Sequence, residues 1–266
     1  MTVGDLVPWG RGPCVRTRLT AIAAAIALSA GPALGAEAAG PPGAIPGHVA
    51  AAVADTGRPE ADRARDAARR PGEIVAFAGV APGWKVAELL PGGGYFTRIL
   101  SKAVGANGKV YTVVPAQAPA QFAAPSQAIA ADPAYANVTL LRQAMTALQP
   151  PEPLDLVWTT QNYHDLHNNN GDPDAVNRAV FAALKPGGIY LVSDHNAPTG
   201  WGASATQSHH RIAREHVIRE VLAAGFVLDG ENWALWNPPD VGILPSSDAS
   251  VRGATNQFVL RFKKPA

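Results

Sequence analysis

The chain has 266 residues, 47% of them apolar and 16% charged, with a formal net charge of +1. That composition supports a packed domain and excludes global disorder, and a charge so close to zero gives no electrostatic basis for a nucleic-acid partner. No stretch is both long and apolar enough to span a bilayer in the mature protein, so stable membrane insertion is not expected once a leader has been removed.

Arg11, Arg16 and Arg18 precede an apolar run over residues 19–30, and small residues follow from Gly31 to Ala36. A basic segment, a short apolar segment and a small-residue cleavage site, in that order, describe a secretory signal peptide. Residues 1–35 are assigned to it, which predicts a periplasmic or secreted protein. The only cysteine, Cys14, leaves with the leader. The mature chain then has no thiol for a disulfide, a thiolate metal site or a nucleophile. Residues 36–57, rich in Ala, Gly and Pro, are expected to be a flexible leader, and residues 58–266 the folded domain. At its start, residues 59–70 predict an exposed charged helix, and a second short helix follows over 72–80 before a turn at Pro82-Gly83.

From there strand and helix signals alternate. Strands are expected over 85–89, 109–114, 138–142, 154–159, 189–193, 226–229 and 257–262. Helices are expected over 95–104, over 116–131 with Pro119 and Pro125 interrupting, over 173–184 with Asp172 as cap, and over 208–224. This alternation predicts an α/β fold, a Rossmann-like doubly wound and mostly parallel sheet with helices on both faces.

The most informative segment is Glu88-Leu89-Leu90-Pro91-Gly92-Gly93-Gly94-Tyr95-Phe96-Thr97. It runs from a strand through a tight turn into a helix. Glycines there let the backbone approach a ligand with no Cβ in the way, and the crevice beyond the strand ends is where doubly wound sheets bind ligands. The G-x-G-x-x-G spacing of a dinucleotide-binding dehydrogenase is absent.

On these residues the chain resembles the class I S-adenosylmethionine-dependent methyltransferases. It looks most like a group of small, often exported predicted methyltransferases with a Glu-x-x-Pro-Gly-Gly-Gly-aromatic-x-Thr turn. Glu88, Pro91, Gly92, Gly93, Gly94, Tyr95 and Thr97 match that turn. Asn162-Tyr163-His164-Asp165, Asp194-His195, His210-Arg211-Ile212 and Arg252-Gly253 match elsewhere. The resemblance implies an antiparallel last strand and S-adenosylmethionine as cofactor. It implies Glu88, Pro91, Gly92, Gly93, Gly94, Tyr95, Gln143 and Asn162 as the residues that bind the cofactor. The sequence departs from the family pattern at Leu90, where a glycine is usual, at Pro115, where an acid usually binds the ribose, and at Ala144, near the usual adenine contact.

His164 and Asp165 follow the fourth strand, and Asp194 and His195 follow the fifth, at the same carboxyl edge. These four are the candidate catalytic residues: an imidazole that takes a proton from an attacking hydroxyl or amine, and a carboxylate that orients it. With His167 they also offer nitrogen and oxygen donors, but the spacing matches no zinc-protease motif, and no metal is expected. His209, His210 and His216 are expected on an exposed helix, with Arg211 and Glu215 as an i,i+4 pair. The functional expectation is an exported methyltransferase acting on an unidentified small molecule. The alternatives are a non-catalytic small-molecule-binding protein on the same fold that has lost the cofactor, and a metal-dependent hydrolase.

Overall fold

The computed structural model describes residues 43–266, so the expected signal peptide lies outside the described part. Four helices come first: α1 (Gly47–Ala54), α2 (Glu60–Arg63), α3 (Asp66–Arg69) and α4 (Pro71–Ala78). The α/β region then runs β1 (Lys85–Leu89), α5 (Tyr95–Val104), β2 (Lys109–Val114), α6 (Ala120–Ala131), β3 (Val138–Arg142), β4 (Leu154–Thr160), α7 (Pro173–Ala183) and β5 (Leu184–His195). It ends with α8 (Thr206–His209), α9 (Arg214–Ala223), β6 (Val227–Asn232) and β7 (Gln257–Lys263).

The seven strands form one sheet in the order β3-β2-β1-β4-β5-β7-β6. The first five are parallel to one another, and β7 lies between β5 and β6, antiparallel to both. This is the Rossmann-like, doubly wound and mostly parallel sheet expected from the alternation. The chain leaves β1 toward β3, then returns to β4 on β1's other side. That reversal opens a crevice at the carboxyl ends of β1 and β4.

Side chains alternate between the two faces of each strand. In β1, Val86 faces one apolar cluster with α1, α4 and α5, while Ala87 and Leu89 face a second with α7 and α9. Both faces of the central strands are therefore covered, as a parallel sheet requires.

The structure differs from expectation in four places. Residues 36–57 are not wholly a flexible leader: α1 occupies 47–54, and its Val49 and Ala52 are buried in the first apolar cluster. The charged segment 59–70 is two short helices, with Asp62 buried. The fifth strand is much longer than its apolar stretch, beginning at Leu184 and ending at His195. The helix expected over 208–224 is broken at His210, whose φ of 50° leaves the helical region, and Arg211 is fully buried against Asp240 at 2.8 Å rather than paired with Glu215 on an exposed face.

Candidate functional site

A cavity of about 600 Å³ opens at the carboxyl ends of β2, β1 and β4. Its floor is the glycine-rich turn, contributing Glu88, Leu90, Pro91, Gly92 and Gly93, and Tyr95 and Phe96 at the start of α5 line it as well. Val114, Pro115, Phe122 and Met145 form an apolar wall on the β2 and β3 side. On the β4 side the lining is polar, with Gln161, Asn162 and Asp165. Arg65 and Arg69 reach in from the amino-terminal helices.

Leu90 has a φ of 50°, so a leucine adopts the left-handed backbone that a glycine would take more easily, and the departure from the family pattern leaves the turn tight. A Cβ on Gly92 or Gly93 would meet nothing within 4 Å, whereas one on Gly94 would strike the Ile129 side chain at 2.2 Å. Gly92 and Gly93 thus keep the cavity floor low, and Gly94 is needed for packing. The side chain of Asn162 ties the turn to β4: its amide donates to the carbonyls of Leu90 at 2.9 Å and Leu89 at 3.3 Å, and its oxygen accepts from the Thr159 hydroxyl.

Glu88 is buried and accepts a hydrogen bond from the Thr97 hydroxyl at 2.5 Å. Burial pushes its carboxyl up to about 8, against the opposing pull of Thr97, Arg69 and Arg98. The Arg69 guanidinium lies 4.3 Å from the centre of the Tyr95 ring and 5.2 Å from that of Phe96. It has no hydrogen-bond or ion-pair partner among the described residues. Burial, with Arg65 beside it, holds Arg69 below the ordinary guanidinium range. The sequence held no sign of this role, because 59–70 reads as a solvated charged face and only the packing of α2 and α3 turns Arg69 inward and leaves half-exposed Arg65 at the cavity's edge. Tyr95 is held in turn by Asp66, which accepts from its hydroxyl at 2.6 Å and from both terminal nitrogens of buried Arg58.

The remaining expected residues divide. Glu88, Pro91, Gly92, Gly93, Tyr95 and Asn162 line the cavity; Gly94 supports the turn from behind. Gln143 does not reach the cavity lining, and its side-chain oxygen accepts from the Gln149 backbone instead, at 3.2 Å. Of the four candidate catalytic residues only Asp165 lines the cavity. The other three form a cluster beside it. Asp194, fully buried, accepts from the backbone N–H groups of His164 and His195, each at 2.7 Å, and from His164 Nδ1 at 2.9 Å. Burial disfavours a charged His164, but the Asp194 carboxylate outweighs it and raises the ring above the ordinary imidazole value. His195 differs: burial dominates, Asp194 opposes it only in part, and His164, Arg211 and Arg69 add to the fall to about 4. Its Nδ1 is 2.7 Å from the Thr255 hydroxyl. His195 is thus a neutral, weakly basic ring, and His164 is the more basic imidazole of the pair.

No family model matches the chain. Among solved structures it is similar to a SAM-dependent methyltransferase from Aquifex aeolicus, with a TM-score of 0.55 and 17% identity over 75% of this chain and 92% of that one. It is similar to the [4+2]-cyclase SpnF, at 0.57 and 16% over 77% and 81%. It is also similar to the glycopeptide N-methyltransferase MtfA complexed with S-adenosylmethionine, at 0.52 and 16% over 76% and 87%. The fold is therefore that of the class I methyltransferases.

Proposed function

We propose that this protein is an S-adenosylmethionine-dependent methyltransferase acting on a small molecule. The observation that carries this reading is the cavity above the glycine-rich turn, where a buried acid, Glu88, and an unpaired guanidinium, Arg69, line the same space. The methionine end of the cofactor bears an ammonium and a carboxylate, and these two side chains match that pair of charges. The apolar wall of Val114, Pro115, Phe122 and Met145 suits an adenine ring.

When bound, the cofactor would supply a sulfonium methyl group for transfer to a nucleophile in line with the breaking carbon–sulfur bond, the thioether leaving, a reaction governed by positioning more than by acid–base power. The chain's own contribution follows from its geometry. Gly92 and Gly93 leave room above the turn, Asn162 fixes the turn against β4, and Asp165 presents a carboxylate from the β4 side. The Asp194 carboxylate can only accept, so it keeps the proton on His164 Nδ1 and makes Nε2, which faces His210 Nδ1 at 3.2 Å, the acceptor nitrogen of the neutral ring.

Calorimetric titration with S-adenosylmethionine and S-adenosylhomocysteine tests the reading: saturable binding is expected, and Gly93→Asp, which projects a carboxylate into the cavity, is expected to abolish it. A second reading, a binding protein that has lost the cofactor, is favoured by Pro115, which offers no carboxylate to the ribose, and by Gln143, which turns to the Gln149 backbone instead of the adenine position. A flat titration with both cofactor forms would select it. We also propose export through the segment 1–35. Fractionation of expressing cells should find the protein outside the cytoplasm with its amino terminus near residue 36, and a cytoplasmic protein retaining Met1 would refute this.

A further inference from the structure

We propose that His164, Asp165 and His210 form a binding site for a divalent transition-metal ion, of the kind zinc represents, at the border of the cavity. One donor atom from each residue lies within 4.8 Å of the other two. The separations are those of a coordination shell. Donors 2.0–2.1 Å from a tetrahedral ion stand about 3.3–3.4 Å apart. His164 Nε2 is 3.2 Å from His210 Nδ1 and 3.5 Å from Asp165 Oδ1. Two imidazoles and one carboxylate are a donor set for zinc and its first-row neighbours, and three protein ligands leave a position open.

Two further observations point the same way. Metal-bound histidines are usually oriented through their second nitrogen by a carboxylate, and His164 Nδ1 is held in that manner by fully buried Asp194, at 2.9 and 3.0 Å from its two oxygens. Nε2 is thereby directed toward Asp165 and His210. The backbone at His210 is also committed. It takes a φ of 50° in the break between α8 and α9, a strained value for histidine. The next residue anchors that break: Arg211 donates to the carbonyls of Leu244 at 2.7 Å and Asn196 at 2.9 Å, and to Asp240 at 2.8 Å. The result sets the His210 ring edge-on to His164, with centres 5.3 Å apart. Asp165 is both a ligand and part of the cavity wall, so an ion here borders the space assigned to the reactants.

A second cluster, His167, His216 and Glu220, has the same residue types, but its carboxylate is shared among three side chains. Glu220 accepts from the Tyr163 hydroxyl at 2.9 Å and lies 3.2 Å from His167 and 3.0 Å from His216. Arg219 donates to His216 Nδ1 at 3.0 Å and adds a positive charge beside it.

The test reads metal directly and needs neither cofactor nor turnover, so its outcome is independent of the methyltransferase reading. Chelator-stripped protein is titrated with zinc chloride, and separately with cobalt chloride while visible absorption is recorded. One ion per chain and cobalt bands of tetrahedral intensity are expected. His210→Ala and Asp165→Asn, both at exposed positions, should each weaken zinc binding at least 30-fold with an unchanged melting curve, and Asp194→Asn should weaken it 10- to 100-fold. His216→Ala should leave it unchanged. Absence of saturable binding, binding that survives both His210→Ala and Asp165→Asn, or binding lost only with His216→Ala would each overturn the proposal.

Discussion

Glu88 shows how one side chain can link ligand binding to protons. Its folded-state pKa, about 8 against an ordinary 4.5, means that the folded protein holds a proton there that the unfolded chain has released across that interval. The stability associated with that proton is full below pH 4.5 and falls as pH rises toward 8. Glu88→Gln should flatten this dependence in denaturant titrations between pH 5 and 8. The bound cofactor's ammonium favours the carboxylate form, so binding at pH 6.5 should release close to one proton. Calorimetry in buffers of different ionisation enthalpy reads that release, and in Glu88→Gln the buffer dependence should vanish. At this scale the sequence was a good guide where function depends on backbone shape: the turn residues from Glu88 to Tyr95 lie where their spacing placed them. It was a poor guide where a side chain's direction depends on distant packing. Gln143 turns to Gln149, and Arg69 turns inward, for reasons no local pattern records.

Secondary structure in the parallel core was legible where a strand is a short, mostly apolar run bounded by glycine, proline or polar residues, as Lys109–Val114 between Gly108 and Pro115 and Val138–Arg142 between Asn137 and Gln143 illustrate. The amino-terminal helices were harder to read. Helix α1 is built from alanine and valine, a composition equally suited to a linker, and only its packing against α5 and α4 settles the matter. Helices α2 and α3 are four residues each, too short to show periodicity. Their position depends on the pair between Arg58, 2% exposed, and Asp66. Removing one partner of a buried pair leaves a desolvated charge, so Asp66→Ala should cost about 3 kcal/mol in urea unfolding. The same change releases the Tyr95 hydroxyl and loosens the helices that carry Arg65 and Arg69, and cofactor affinity should drop with it. The break at His210 escaped a helical reading because residues 208–224 keep helix-forming composition throughout; the burial of Arg211 against Asp240, a contact spanning almost thirty positions, overrides it.

In the molecule as a whole, the two apolar clusters are separated by the sheet, and β7 contributes to both, with Val259 in one and Leu260 and Phe262 in the other. Phe262 is fully buried and sits opposite Tyr190 of β5 and Leu228 of β6. Phe262→Ala should therefore destabilise the protein by about 3–5 kcal/mol, measured by chemical denaturation, with no direct effect on the distant cavity. The position of β7 also has a temporal consequence. A ribosome-bound chain that stops short of residue 257 has no partner for the outer edge of β5 and nothing to hold β6 against the rest. Closure of this sheet thus waits until residues 257–263 have been made. Until then the outer backbone edge of β5 stays unpaired, open to a strand from another chain.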